Sequence, residues 1–192
     1  MKTKIFAVIA FMMLGLSLNA NAQRLSYPRF HMGIRGGGTV NVDTDRGEPG
    51  VFPTIGIGMD FRLAPIPLYL ETGAFYMNKM VDLGSNHDKD YDDTYNDHYI
   101  YAPLLASYHI YLSDKFCLQP FAGVTLGYLT ESEMFEAAAR VGIGMNFGRL
   151  YSNVGLDVSL TKHEWEDSGS YYTPAQYVTL FWTIGVNWAG SR

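Results

Sequence analysis

Residues 87–98, HDKDYDDTYNDH, crowd five aspartates, two histidines and two tyrosines into twelve positions. Carboxylates at that density can hold a divalent cation, polarise a substrate or simply hydrate. Asp88, Asp90 and Asp92 fit positions 1, 3 and 5 of a calcium loop. Asp93, however, stands where the sharp turn requires Gly, and Tyr99 where a closing Glu is required. An EF-hand site is disfavoured, and weak surface binding of divalent ions stays open. The stretch reads as a hydrated loop whose candidate interaction residues are Asp88, Asp90, Tyr91, Asp92, Asp93 and Tyr95. A second constellation is Ser107, His109 and Glu71, a hydroxyl, an imidazole and an acid on one face of neighbouring segments. Two positions on one strand need not bring hydroxyl and imidazole into bonding range, so the set is not read as catalytic. His31, His87, His98 and His163 show no H-x-x-x-H spacing. Cys117, the only cysteine, excludes an intramolecular disulfide and a Cys-based zinc cluster. No catalytic residue, cofactor site or metal site is assigned.

The elements that must carry these residues are unusual in composition. The 192 residues are 47% hydrophobic and 15% aromatic, with 20 Gly, but only 17% charged. That charge is below the usual quarter, so something other than water is expected to cover part of the surface. Lys2 and Lys4 precede an apolar run, IFAVIAFMMLGLSL, and Ala20-Asn21-Ala22 offers a small-x-small cleavage site. Residues 1–22 are therefore expected to be a cleaved signal peptide, and 23–192 a barrel domain. The run is short for a helix that must cross about 30 Å of hydrocarbon.

Beyond Gln23 the pattern has period two. In TIGIGMDF, Ile55, Ile57, Met59 and Phe61 share one face, while Thr54, Gly56, Gly58 and Asp60 share the other. The same alternation predicts strands over about 29–41, 52–62, 67–81, 99–111, 116–129, 135–147, 150–163 and 175–188. Several are far longer than the roughly 5 or 6 residues of an ordinary strand, and long enough for a tilted crossing of a bilayer. Their less apolar faces hold Gly, Ser, Thr and Asn with few charges, too few for a solvated exterior. A narrow interior suits them, with Arg35, Glu71, Lys79, Gln119, Arg140 and Asp157 as candidates for a luminal polar network. The fold class is all-β: an eight-stranded antiparallel up-and-down transmembrane β-barrel. A soluble lipocalin-like barrel, apolar inside and charged outside, is the alternative.

Short links near 63–66, 112–115 and 148–149 alternate with longer ones at 42–51, 82–98 and 164–174, and a short exception lies near 130–134. Barrels of the outer membrane have short periplasmic turns and longer external loops. Both termini are then periplasmic and residues 87–98 external. Tyr76, Tyr108, Phe116, Tyr128, Phe147, Trp182 and Trp188 are placed to form headgroup-level girdles.

RFHMGIRGGGTVN, PLYLETGAFYMNKM, YAPLLASYHIYLSDKFCLQPFAGVTLGYL, SNVGLDVSL and TLFWTIGVNW follow one another in an order and spacing that resemble the PorT-like outer-membrane β-barrel proteins of Bacteroidetes. The resemblance covers residues 28–188. It implies an outer-membrane location and supplies no common catalytic set. Such barrels end on an aromatic residue recognised by the assembly machinery, whereas here Trp188 is followed by AGSR.

The expectation is a small non-enzymatic outer-membrane barrel with a structural or surface-interaction role. A lipocalin-like periplasmic or secreted ligand-binding barrel, an outer-membrane enzyme acting on lipid and a narrow pore are the rival readings. Expected partners are outer-membrane lipid, the barrel assembly machinery and an unidentified surface ligand, with the chain a monomer. A formal charge of −5 and no basic patch in the sequence speak against nucleic acid.

Overall fold

A computed structural model describes residues 29–41, 51–63, 65–82, 94–113, 115–131, 133–161 and 178–191. The signal-peptide expectation for 1–22 lies outside them. The strands are β1 (Phe30–Asn41), β2 (Val51–Arg62), β3 (Leu68–Asp82), β4 (Thr94–Tyr108), β5 (Ile110–Tyr111), β6 (Phe116–Leu129), β7 (Met134–Phe147), β8 (Leu150–Ser159) and β9 (Val178–Ser191). The two-residue β5 continues β4 past His109, and both pair with β6. The ring therefore has eight staves.

Every pairing is antiparallel, and neighbours in space are neighbours in sequence except at the closure. There β1 pairs with β9, with an irregularity between Met32 and Gly33. The order β4-β3-β2-β1-β9-β8-β7-β6-β5, with β4 also paired to β6, leaves no free edge. This is an eight-stranded up-and-down barrel. Closure satisfies every stave's backbone laterally, which a barrel in hydrocarbon requires.

The alternating residues sort sharply. Ile55, Ile57, Ile100, Leu104, Val124, Val141, Ile143, Val154, Trp182 and Ile184 all face outward and are exposed. Their sequence neighbours Thr54, Thr125, Arg140, Asn153 and Thr183 are buried inside. The clearest contrast is on β9, where Ile184 is 63% exposed and Thr183 only 5%. A continuous apolar belt of this extent is far larger than a water-soluble monomer presents. The lipocalin-like alternative requires the opposite arrangement and is overturned. The staves run from 10 residues in β8 to 15 in β3, enough to cross a bilayer at a tilt.

Both described chain ends share one rim, where Phe30 pairs with Ser191. The short connections β2–β3, β5–β6 and β7–β8 lie on that same rim. In the last of these, Gly148 takes a φ of +62°, a left-handed conformation open to glycine without steric cost.

Several boundaries differ from the sequence expectation, three of them in ways that bear on the site. β4 begins at Thr94 rather than 99, with Tyr95 opposite Val81, Asp97 opposite Lys79 and His98 opposite Asn78. Residues 94–98, Tyr95 among them, are thus strand and not loop. The apolar alternation stops at about 99 because above the belt a strand needs no lipid-facing residues, while its ladder continues. β8 stops at Ser159, where the Leu160 and Thr161 N–H groups both turn to the Ala137 carbonyl. β9 continues past Trp188 to Ser191, so the tail after that aromatic residue is still partly strand.

Asp88, Asp90, Tyr91, Asp92 and Asp93 lie outside the described residues, as do 42–50 and 164–174. Val51, expected at the end of the first long connection, is the first residue of β2.

Candidate functional site

The lumen is where polar chemistry is concentrated, and β-register decides who meets whom. Asp60 on β2 is directly opposite Glu71 on β3. Two carboxylates side by side inside a barrel repel unless a cation reaches both. Arg35, from β1, does so: its Nη2 donates to Asp60 Oδ1 at 2.8 Å and its Nη1 lies 3.8 Å from Glu71 Oε2. The guanidinium sits 3.8 Å above the Tyr151 ring centroid from β8. Tyr151 Oη donates to Glu71 Oε2 at 3.3 Å and accepts from Asn153 Nδ2 at 2.9 Å. Asn153 Oδ1 in turn accepts from the Thr183 amide and hydroxyl on β9. The network thus crosses the whole lumen, from β1–β3 to β8–β9. Arg35, Asp60, Glu71 and Tyr151 are all buried.

Gly58 makes the placement of Arg35 sterically feasible. A Cβ at position 58 would lie 2.3 Å from Arg35 Nε, so any side chain there would displace the guanidinium.

Toward the rim of short turns, His31 Nδ1 lies 3.7 Å from Asp60 Oδ2. The His109 ring stacks on Tyr69 with centroids 3.7 Å apart and planes at 10°. Its Nε2 is 3.2 Å from Ser107 Oγ, and its Nδ1 is 3.3 Å from Gln119 Nε2. Ser107 and His109 therefore do reach bonding range, against the expectation for two residues on one strand. The ladder is interrupted at His109, whose N–H donates instead to the Pro67 carbonyl at 2.8 Å. The pair is still no acyl-transfer relay. The second imidazole nitrogen meets an amide rather than a carboxylate, and both side chains are closed off from any substrate.

In the other half of the lumen, Arg140 and Asp157 are cross-strand partners on β7 and β8. Arg140 Nε and Nη2 donate to the two carboxylate oxygens at 2.7 and 2.6 Å, a bidentate fork. The guanidinium packs 4.1 Å from the Phe181 ring centroid. Phe75, Met77, Tyr99, Tyr101 and Leu129 form an apolar cluster at this end, and Leu105, Phe121 and Phe181 form another. A cavity of about 30 Å³ remains between Met77, Tyr101, Thr125, Arg140 and Asp157. That space suits one or two waters.

The six candidate luminal residues do not form one network. Arg35 and Glu71 belong to the first, Gln119 to the His109 cluster and Arg140 with Asp157 to a separate pair. Lys79 stands in β3 opposite Asp97, and its side chain lies outside the described residues. Asp60, Tyr151, Asn153 and Thr183 are missing from the sequence-derived set, although Asp60 has the right parity. The inward aromatics are missing as well, because aromatic residues in a membrane barrel point first to the headgroup girdles. Tyr76, Tyr128, Phe147, Trp182 and Trp188 do stand outward; Phe75, Tyr101, Phe121 and Tyr151, of the other parity, do not. Among the described residues no three His, Cys, Asp or Glu side chains are grouped as a metal site.

No protein-family model matches the chain, and no curated protein matches it. Among solved structures it is similar to the N-terminal β-barrel domain of Pseudomonas aeruginosa OprF, with a TM-score of 0.45 and 12% identity, over 84% of this chain and 100% of that one. It is also similar to Ail, the attachment invasion locus protein of Yersinia pestis, in complex with the heparin analogue sucrose octasulfate. That similarity has a TM-score of 0.44 and 8% identity, over 84% of this chain and 99% of that one.

Proposed function

We propose that this chain is a closed, non-enzymatic outer-membrane barrel of the PorT-like kind, which holds its longer connections at the cell surface for a structural or recognition role. The supporting observation is the pairing of an apolar exterior with a filled interior. An eight-stranded barrel leaves space only for side chains, and here that space is occupied at successive levels by His109 and Tyr69, by Arg35 with Tyr151, and by Phe181 with Arg140. Passive conductance through such a lumen is small. A buried Ser107–His109 pair without a carboxylate on the imidazole offers no route to lipid hydrolysis. Recognition by loops on a rigid scaffold is a common use of such a frame, and Asp88, Asp90, Tyr91, Asp92 and Asp93 are the surface residues we favour. Membrane lipid and the assembly machinery are the partners this reading requires, with both termini periplasmic and the chain monomeric.

An epitope inserted after Asp92 tests the orientation. It is expected to be detected by antibody on intact cells while the heat-modifiable band of the folded barrel survives, because exposed polar segments tolerate insertion. Detection only after the outer membrane is opened would invert the topology. Loss of the folded band would make the segment structural and contradict its surface role.

A further inference from the structure

The basic residues of the mature chain are scattered in sequence, but the fold gathers several onto one rim. Arg29 precedes β1, Lys115 lies in the β5–β6 turn and Arg149 in the β7–β8 turn; all three are exposed. Backbone hydrogen bonds fix their positions. The Arg62 amide donates to the Arg29 carbonyl at 3.0 Å, the Gly148 amide to the Lys115 carbonyl at 2.7 Å, and the Asn187 amide to the Arg149 carbonyl at 2.8 Å. Immediately beside them the apolar belt ends in exposed Phe61, Leu63, Leu112, Phe147 and Leu150. Among the described residues of this rim no carboxylate is exposed. At the opposite rim, among the described residues, Glu131 and Glu133 are exposed and acidic.

We infer that this basic rim is a docking surface for the phosphate groups of the phospholipid leaflet around it. The inference rests on the membrane reading above. A cation at the edge of an apolar belt sits at headgroup depth, where a phosphodiester is the anion at hand, and guanidinium matches it through paired N–H donors. Anionic headgroups are favoured over zwitterionic ones, whose own ammonium competes for the phosphate. Among the described residues of the opposite rim the exposed Glu131 and Glu133 offer no such attraction, so the selectivity is expected at the rim of short turns.

Trp188 is a built-in reporter, since it is exposed to the outside on β9 and follows Asn187, whose amide is bonded to Arg149. With Trp165→Phe and Trp182→Phe, Trp188 alone fluoresces. The folded protein is placed in phosphatidylcholine vesicles carrying equal fractions of chain-brominated phosphatidylglycerol or chain-brominated phosphatidylcholine. The expected result is stronger quenching by the anionic lipid, equivalent to roughly a fivefold local excess, the enrichment one basic group sustains at a lipid surface. High salt should reduce it, and the combined Arg29→Gln, Lys115→Gln, Arg149→Gln variant should abolish it. A chain with Trp182 alone should show no excess. Equal quenching by the two lipids, an excess that survives the triple variant, or the same excess at Trp182 would each overturn the rim assignment and leave the membrane reading intact. No quenching of Trp188 by either lipid would overturn both.

Discussion

Replacing Arg35 by Met is expected to lower the stability of the folded barrel by about 3–5 kcal/mol, the usual penalty for removing one partner from a buried ion pair. Methionine fills much of the same space, so the loss reports charge rather than a void. Without the guanidinium, Asp60 and Glu71 face each other across a strand pair with no cation between them. The measurement is denaturant unfolding in detergent micelles, followed by tryptophan fluorescence. Adding Asp60→Asn and Glu71→Gln to Arg35→Met should restore most of the loss, because the repulsion and the unpaired charges disappear together. A single variant as stable as the parent would show that the cross-lumen network does not hold the barrel together. Arg140→Met is expected to cost less, because Asp157 is 15% exposed and can be reached by water.

Arginine at Val124 is the second large effect. Val124 lies opposite Leu104 on β4 and Ala139 on β7, in the middle of the apolar belt. A guanidinium there must leave water for hydrocarbon, at a cost of about 2–4 kcal/mol at the bilayer midplane. The same substitution at Val51, the exposed first residue of β2 at the rim of longer connections, should cost roughly 0–1 kcal/mol. Depth is the variable under test, and parallel unfolding titrations in lipid vesicles read it. Equal penalties at the two positions would mean that lipid does not surround the belt.

The parity of side chains was legible in the sequence, and with it the barrel. TIGIGMDF and RVGIGMNF each alternate without a break, so both faces could be read before any strand was paired. Partnership was not legible in the same way. Arg140 meets Asp157 because β7 and β8 pair in one register, and a shift by two residues would keep every side chain inward while separating the pair. Asp60 shares the polar face of TIGIGMDF, but only the register of β1 against β2 makes it the closest partner of Arg35. The inward aromatics were obscured by chemistry. Phe75, Tyr101 and Phe121 fill a lumen eight strands wide, whereas aromatic residues in a membrane barrel suggest the headgroup belts first. The strand limits failed where the apolar pattern and the hydrogen-bond ladder end at different heights, as at Thr94–His98.

The proposed role requires that lipid of the outer membrane cover the apolar face of this barrel. Fractionation of cells expressing the full-length, untagged chain, followed by alkaline carbonate extraction of the membranes, tests it most directly. The protein is expected in the outer-membrane fraction, to resist carbonate, and to migrate as a heat-modifiable folded band. Recovery of the folded protein wholly in the soluble periplasmic fraction would show that lipid does not cover that face.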